Sequence, residues 1–134
     1  MDIKISTEKA RIPVTVLHVD GDIDSFTYEA FLSKARELIT DGARYMIIDL
    51  AHVPYVGSAG LRAIYTIFHD LRAVHPEENL SEEQLQKAVT AGTYKSPYLK
   101  LLNLTDAVKG VFQMGGFDGY IETYTDLKTA VASF

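Results

Sequence analysis

Ser58 is the hydroxyl best placed for chemistry in this chain. It follows the loop His52-Val53-Pro54-Tyr55-Val56-Gly57. It precedes Leu61, Ile64, Tyr65, Phe68 and Leu71, which recur at helical spacing. A serine at such a junction reads as a helix N-cap. The helix end it marks carries unpaired N–H groups and a partial positive charge, so a phosphate is electrostatically welcome there. Phosphorylation adds roughly −1.5 to −2 charges, which the fold tolerates while its outer surface changes. The bland reading is a plain cap contributing about 1 kcal/mol to helix stability.

Nucleophilic catalysis at Ser58 is poorly supported. A hydrolase elbow places glycine two residues before the serine, and Val56 stands there. His18, His52, His69 and His75 have no spacing that ties them to Ser58. No phosphate-cradling lysine loop and no strand-following G-x-G-x-x-G occurs. Catalytic residues, cofactors and metals are therefore not expected. Asp20, Asp22 and Asp24 lack the fuller oxygen set of a dedicated cation loop. Asp22 and Asp24 read either as helix-end carboxylates or as docking carboxylates near Ser58. Asp49 either bonds to the loop holding Ser58 or caps backbone amides. Tyr55 and Val56 read as an apolar rim beside Ser58 or as core. Leu61 reads as core. Arg62 is expected to face a partner, a phosphate or solvent.

The elements that position these residues follow from periodicity. Ile3 to Ser6 and Ile12 to Val19 read as a hairpin turning at Lys9 to Arg11. Asp24 or Ser25 is expected to cap a helix whose core face carries Tyr28, Phe31, Ala35, Leu38 and Ile39, ending at Gly42. Tyr45 to Leu50 is nearly continuous apolar sequence, as in a central buried strand. After the Ser58 helix, which Pro76 limits, Ser81-Glu82-Glu83-Gln84 announces a short helix that Gly92 stops. Tyr98 to Leu102 reads as a strand. Thr105 or Asp106 caps the next helix, which Gly115-Gly116 closes. Tyr120 to Thr123 reads as a last strand, and Thr125 or Asp126 opens a last helix. Alternating strands and helices imply an α/β single domain with parallel pairs, made mixed by the opening hairpin.

Bulk properties narrow the function classes. The 134 residues suit one domain, and 47% apolar content suffices for a core. A net charge of −5 argues against nucleic acid and against anionic membranes as partners. The absence of cysteine excludes disulfides and thiolate metal sites. No signal peptide and no membrane span is read, so a cytoplasmic location is expected.

Three motifs in order resemble the STAS domain of bacterial anti-sigma factor antagonists. The first is Val19-Asp20-Gly21-Asp22-Ile23-Asp24-Ser25-Phe26-Thr27. The second is Ile47-Ile48-Asp49-Leu50, then Val53-Pro54-Tyr55-Val56-Gly57-Ser58-Ala59-Gly60-Leu61. The third is Ala107-Val108-Lys109-Gly110-Val111-Phe112, then Gly116-Phe117. The resemblance spans residues 1–134 except an insertion around 75–96. It implies a mixed, mostly parallel sheet of four to five strands with helices mainly on one face. It implies a non-enzymatic anti-sigma factor antagonist whose Ser58 is phosphorylated by a partner serine kinase, itself the anti-sigma factor, and reset by a PP2C-type phosphatase. The contact residues it implies are Asp22, Asp24, Tyr55, Val56, Gly57, Ala59, Gly60 and Arg62. Gly57 stands where the family often has aspartate, and Ala59 where a second Ser or Thr is frequent. The other readings are a STAS-type scaffold and a small-ligand or lipid-binding signalling module without the switch. A homodimer stays open.

Overall fold

Five strands align their apolar residues in one sheet of order β1-β2-β3-β4-β5, in a computed structural model that describes all residues 1–134. β1 (Asp2–Lys9) and β2 (Pro13–Asp20) form an antiparallel hairpin, from Asp2↔Asp20 to Lys9↔Pro13. β3 (Met46–His52), β4 (Leu99–Leu102) and β5 (Thr123–Tyr124) then add in parallel. The helices are α1 (Tyr28–Thr40), α2 (Ser58–Ala73), α3 (Glu82–Thr90), α4 (Asp106–Met114) and α5 (Leu127–Ala132). No helix is long and apolar enough to cross a membrane.

The two-residue period of the strands divides the interior. Leu17, Val19, Met46, Ile48 and Leu50 face one side and join Phe31, Ile64, Phe68, Leu85 and Phe112 in a core of 26 buried residues. That core rests on α1 to α4. Val14, Val16, Ile47 and Leu102 face the other side, where α5 covers them with Ala130 and Val131. The expected α/β fold, with helices mainly on one face, is the observed one.

Three local expectations need correction. Neither Asp24 nor Ser25 caps α1, whose N-cap position is Thr27 with no side-chain capping bond. Asp24 instead closes an extra turn ahead of the helix. Its Oδ1 accepts from Phe26 N (2.9 Å) and Thr27 N (3.1 Å), and Thr27 Oγ1 accepts from Asp24 N (3.0 Å). Tyr120 to Glu122 are not strand. They follow a 3₁₀ turn at Phe117–Gly119 that holds Ile121 N to Phe117 O (2.9 Å); Glu122 O still accepts from Leu101 N (3.0 Å), but only Thr123–Tyr124 pair with β4 as strand. Burial alone makes that run apolar, and burial pushes the Tyr120 phenol up to about 12. Ser58, expected as the cap of α2, is instead its first helical residue.

Segment 75–96 is tied to the body rather than free. Arg72, 7% exposed, donates to Leu80 O (3.2 Å) and lies 3.6 Å from Glu78 and 3.5 Å from Glu82. His75 stacks on Tyr98 with ring centroids 3.6 Å apart. α3 carries the full reciprocal capping box between Ser81 and Gln84. Ser81→Ala is expected to cost about 1 kcal/mol, felt mainly in α3. Hydrogen exchange checks this: faster exchange confined to α3 amides is the expected result, and unchanged α3 protection would contradict it.

Candidate functional site

The loops after β2 and β3 leave the same end of the sheet because those strands are parallel. They remain stitched beyond it. Gly21 N donates to His52 O (3.0 Å), Ile23 N to Tyr55 O (3.0 Å) and Gly57 N to Ile23 O (2.9 Å). Ile23 and Val56 form an isolated parallel bridge. This stitching sets the loop carrying Asp22 and Asp24 alongside the loop that delivers Ser58.

Ser58 is exposed and is the first residue of α2, not its cap. Gly57 takes the N-cap position in extended conformation (φ −87, ψ −177), and its carbonyl accepts from Leu61 N (3.0 Å). No side chain caps α2, and its first turn contains no acidic residue. Its positive end is therefore uncommitted, and the hydroxyl projects beside it.

The expected contact residues divide by burial. Asp22 and Arg62 are exposed, Asp24 and Gly57 half-buried, and Tyr55 53% exposed. Val56 is 1% and Ala59 5% exposed, and Gly60 is buried. Val56 therefore belongs to the core rather than the rim. Val56, Ala59 and Gly60 position the site from beneath instead of presenting side chains to a partner. Leu61 is half-buried against the core. The Tyr55 ring folds back over Gly57, where an added Cβ would lie 3.1 Å from the phenolic oxygen. Any side chain at residue 57 would have to displace that ring.

Sequence reading missed Phe26. It is 92% exposed and is directed outward by the Asp24 turn, on the loop stitched beside Ser58. The signal was available in the Asp-Ser-Phe-Thr string, because Asp and Thr three apart close a turn whose intervening residues point out.

Sequence reading also missed a second polar set. His18 Nδ1 donates to Asp49 Oδ2 (2.8 Å), and His18 Nε2 lies 2.9 Å from Ser6 Oγ. Asp49 Oδ1 accepts from Ala51 N (3.1 Å), so Asp49 binds a histidine and one amide, not the Ser58 loop. The three residues have the atom order of a hydrolytic triad. However, they lie on a sheet face, where backbone N–H groups run in the sheet plane. An oxyanion hole needs N–H groups aimed out of that plane, above the hydroxyl. The set works as a polar clamp across β1, β2 and β3. No histidine hydrogen-bonds Ser58, and no three His or acidic side chains gather to hold a metal ion.

The same arrangement of strands and helices occurs in known proteins. The family model for the STAS domain matches residues 5–77. An anti-sigma factor antagonist from Mycobacterium paratuberculosis shares 21% identity over 98% of this chain and 93% of its own, with a TM-score of 0.66. An anti-sigma-factor antagonist (STAS) domain protein from Planctomyces limnophilus shares 16% identity over 96% and 93%, with a TM-score of 0.68. The Bacillus cell fate determinant SpoIIAA in its phosphorylated form shares 17% identity over 95% and 96%, with a TM-score of 0.59. At these identities the structural likeness concerns the fold.

Proposed function

The chain belongs to the STAS domain family, and on that premise we propose that it is an anti-sigma factor antagonist, a protein-binding regulatory module switched by phosphorylation of Ser58. The observation that carries this reading is the exposed Ser58 hydroxyl at the uncapped N-terminus of α2. Around it lie Asp22, Asp24 and Tyr55 from the stitched loops and Arg62 one turn along α2, with Phe26 added by the structure. The similarity in fold to anti-sigma factor antagonists, one of them a phosphorylated form, supports it.

The mechanism is local. Unphosphorylated, the surface docks a serine kinase that is also the anti-sigma factor, through apolar contacts at Phe26 and Tyr55 ringed by charge. Phosphate on Ser58 sits comfortably on the helix end but places a dianion where the partner must come close. Burying that charge unpaired costs several kcal/mol, and each ~1.4 kcal/mol is tenfold in affinity. A PP2C-type phosphatase restores the docking surface. No large conformational change is needed.

Incubation with a candidate anti-sigma kinase and ATP, followed by mass spectrometry, tests the switch. One phosphate on the Ser58 peptide is expected. Phosphate only on other residues would overturn it. The docking surface has a separate test. Phe26→Ala is expected to weaken kinase binding by about tenfold or more, with stability changed by less than about 0.5 kcal/mol because the side chain is exposed. Isothermal calorimetry and thermal melts measure the two effects. Unchanged affinity would remove Phe26 from the interface.

The second reading, a small-ligand module, rests on one feature. A pocket of about 300 Å³ beside β4 and α4 is lined by Leu101, Leu104, Phe112, Phe117 and Ile121 together with the polar Lys109, Gln113, Asp118 and Thr123. That is the lower limit of ordinary ligand pockets, and it shares no residue with the Ser58 loops. Partner docking is the reading the exposed surface favours.

A further inference from the structure

β1 ends the sheet with eight residues, whereas β5 at the other end has only two. A long edge leaves a row of backbone N–H and C=O groups that another strand can take up. β1 pairs with β2 on its inner side and touches α5 on one face; no strand of this chain lies along its outer side. We propose that a second copy of the chain occupies that edge. The two β1 strands pair antiparallel about a two-fold axis through Ser6, giving one continuous sheet.

The register follows from geometry and charge. Opposed residues of an antiparallel pair share a face, so a two-fold pairing must centre on a residue. Centred on Ser6, Lys4 of each copy opposes Glu8 of the other, giving two ion pairs flanking the axis. On the opposite face, Ile5 opposes Thr7. Centring on Ile5 instead would set Asp2 against Glu8 at both ends. Centring on Thr7 would leave Lys4 opposite Ala10. Only the Ser6 register pairs these charges.

Apolar burial favours the same arrangement. Ile5 is 37% exposed on the face that leads into the main core, paired with Leu17. Adding a strand covers it. Charges on an edge strand normally deter pairing. Here they deter the neighbouring registers and complement this one. The surface shares no residue with the Ser58 site, so its test is independent of the function proposed above.

Sedimentation velocity of the intact chain over a wide concentration range, at low salt, measures self-association. A reversible dimer that weakens at high salt is expected. Lys4→Glu and Glu8→Lys each create two like-charge contacts and are expected to weaken dimerisation about tenfold or more. An equimolar mixture of the two variants restores opposite charges at both contacts and is expected to form the heterodimer. Sedimentation of the unaltered protein as a monomer at every concentration would overturn the proposal. So would single variants that dimerise undiminished, or a mixture that stays monomeric with both variants folded. Hydrogen exchange of the unaltered protein probes the edge without variants. Exchange of β1 amides is expected to slow as concentration rises, and exchange independent of concentration would exclude the edge as the interface.

Discussion

Ser58→Asp is expected to lose about a hundredfold or more in affinity for the kinase while its melting temperature stays within a few degrees of the unmodified protein. The two halves of this result have separate causes. The affinity loss comes from a charge that the partner must desolvate without a counter-charge, worth about 3 kcal/mol or more at a close interface. The stability is preserved because the carboxylate lies on the first turn of α2, where no other acidic residue competes. A carboxylate there gains about 0.3–1 kcal/mol from the helix dipole. Ser58→Ala supplies the control. Because Gly57, not Ser58, holds the cap position, this variant is expected to cost only a few tenths of a kcal/mol rather than the ~1 kcal/mol of a lost cap. It is also expected to bind constitutively. Calorimetric binding and thermal melts on the same preparations decide. A Ser58→Asp protein that binds normally would sink the switch. One that loses binding only in proportion to lost stability would reduce Ser58 to a structural role.

That shift of one position shows where sequence reading stops. The helix after Ser58 was legible because Leu61, Ile64, Phe68 and Leu71 must share a face. The boundary was not, because Gly57 and Ser58 both tolerate the extended entry, and the choice depends on Gly57 N bonding to Ile23 O in the other loop. The same limit explains the contact set. Tyr55, Val56 and Ala59 look alike as small or apolar loop residues, but the Ile23–Val56 bridge turns Val56 inward and leaves Tyr55 outside. Strand pairs and core faces were written in two-residue and helical periods. The Ser6–His18–Asp49 clamp was not, since it needs the register of β1 on β2 and of β2 on β3. β5 was overextended because Tyr120 and Ile121 are buried by a turn, and burial without alternation does not distinguish turn from strand.

Gly60→Ala is expected to be the most damaging single methyl group in the chain. Gly60 lies in the first turn of α2, where alanine ordinarily stabilises a helix by roughly 1 kcal/mol over glycine. Here an added Cβ would lie 2.6 Å from Ile23 O, 2.9 Å from Ile23 Cγ2 and 2.9 Å from Val56 Cγ1. Ile23 is 0% and Val56 1% exposed, so neither has free volume to retreat into. The nearest atom is backbone, the same carbonyl that accepts from Gly57 N. Relief therefore requires α2 to lift from the β2–α1 loop, which strains the bond that stitches the two site loops. Overpacking of this kind costs about 1–3 kcal/mol, sometimes more, and the helix-propensity gain offsets only part of it. A fall of several degrees in melting temperature is expected, roughly 2–4 °C or more for each kcal/mol in a domain of this size. Because the damage falls on the joint between the loops, kinase affinity measured well below the melting point is expected to drop as well, although residue 60 touches no partner. Gly110→Ala is the matched control: a Cβ there meets nothing within 4 Å, so that helix should gain stability. If Gly60→Ala melted at or above the temperature of Gly110→Ala, the close approach of α2 to Ile23 would not be what holds the two loops together.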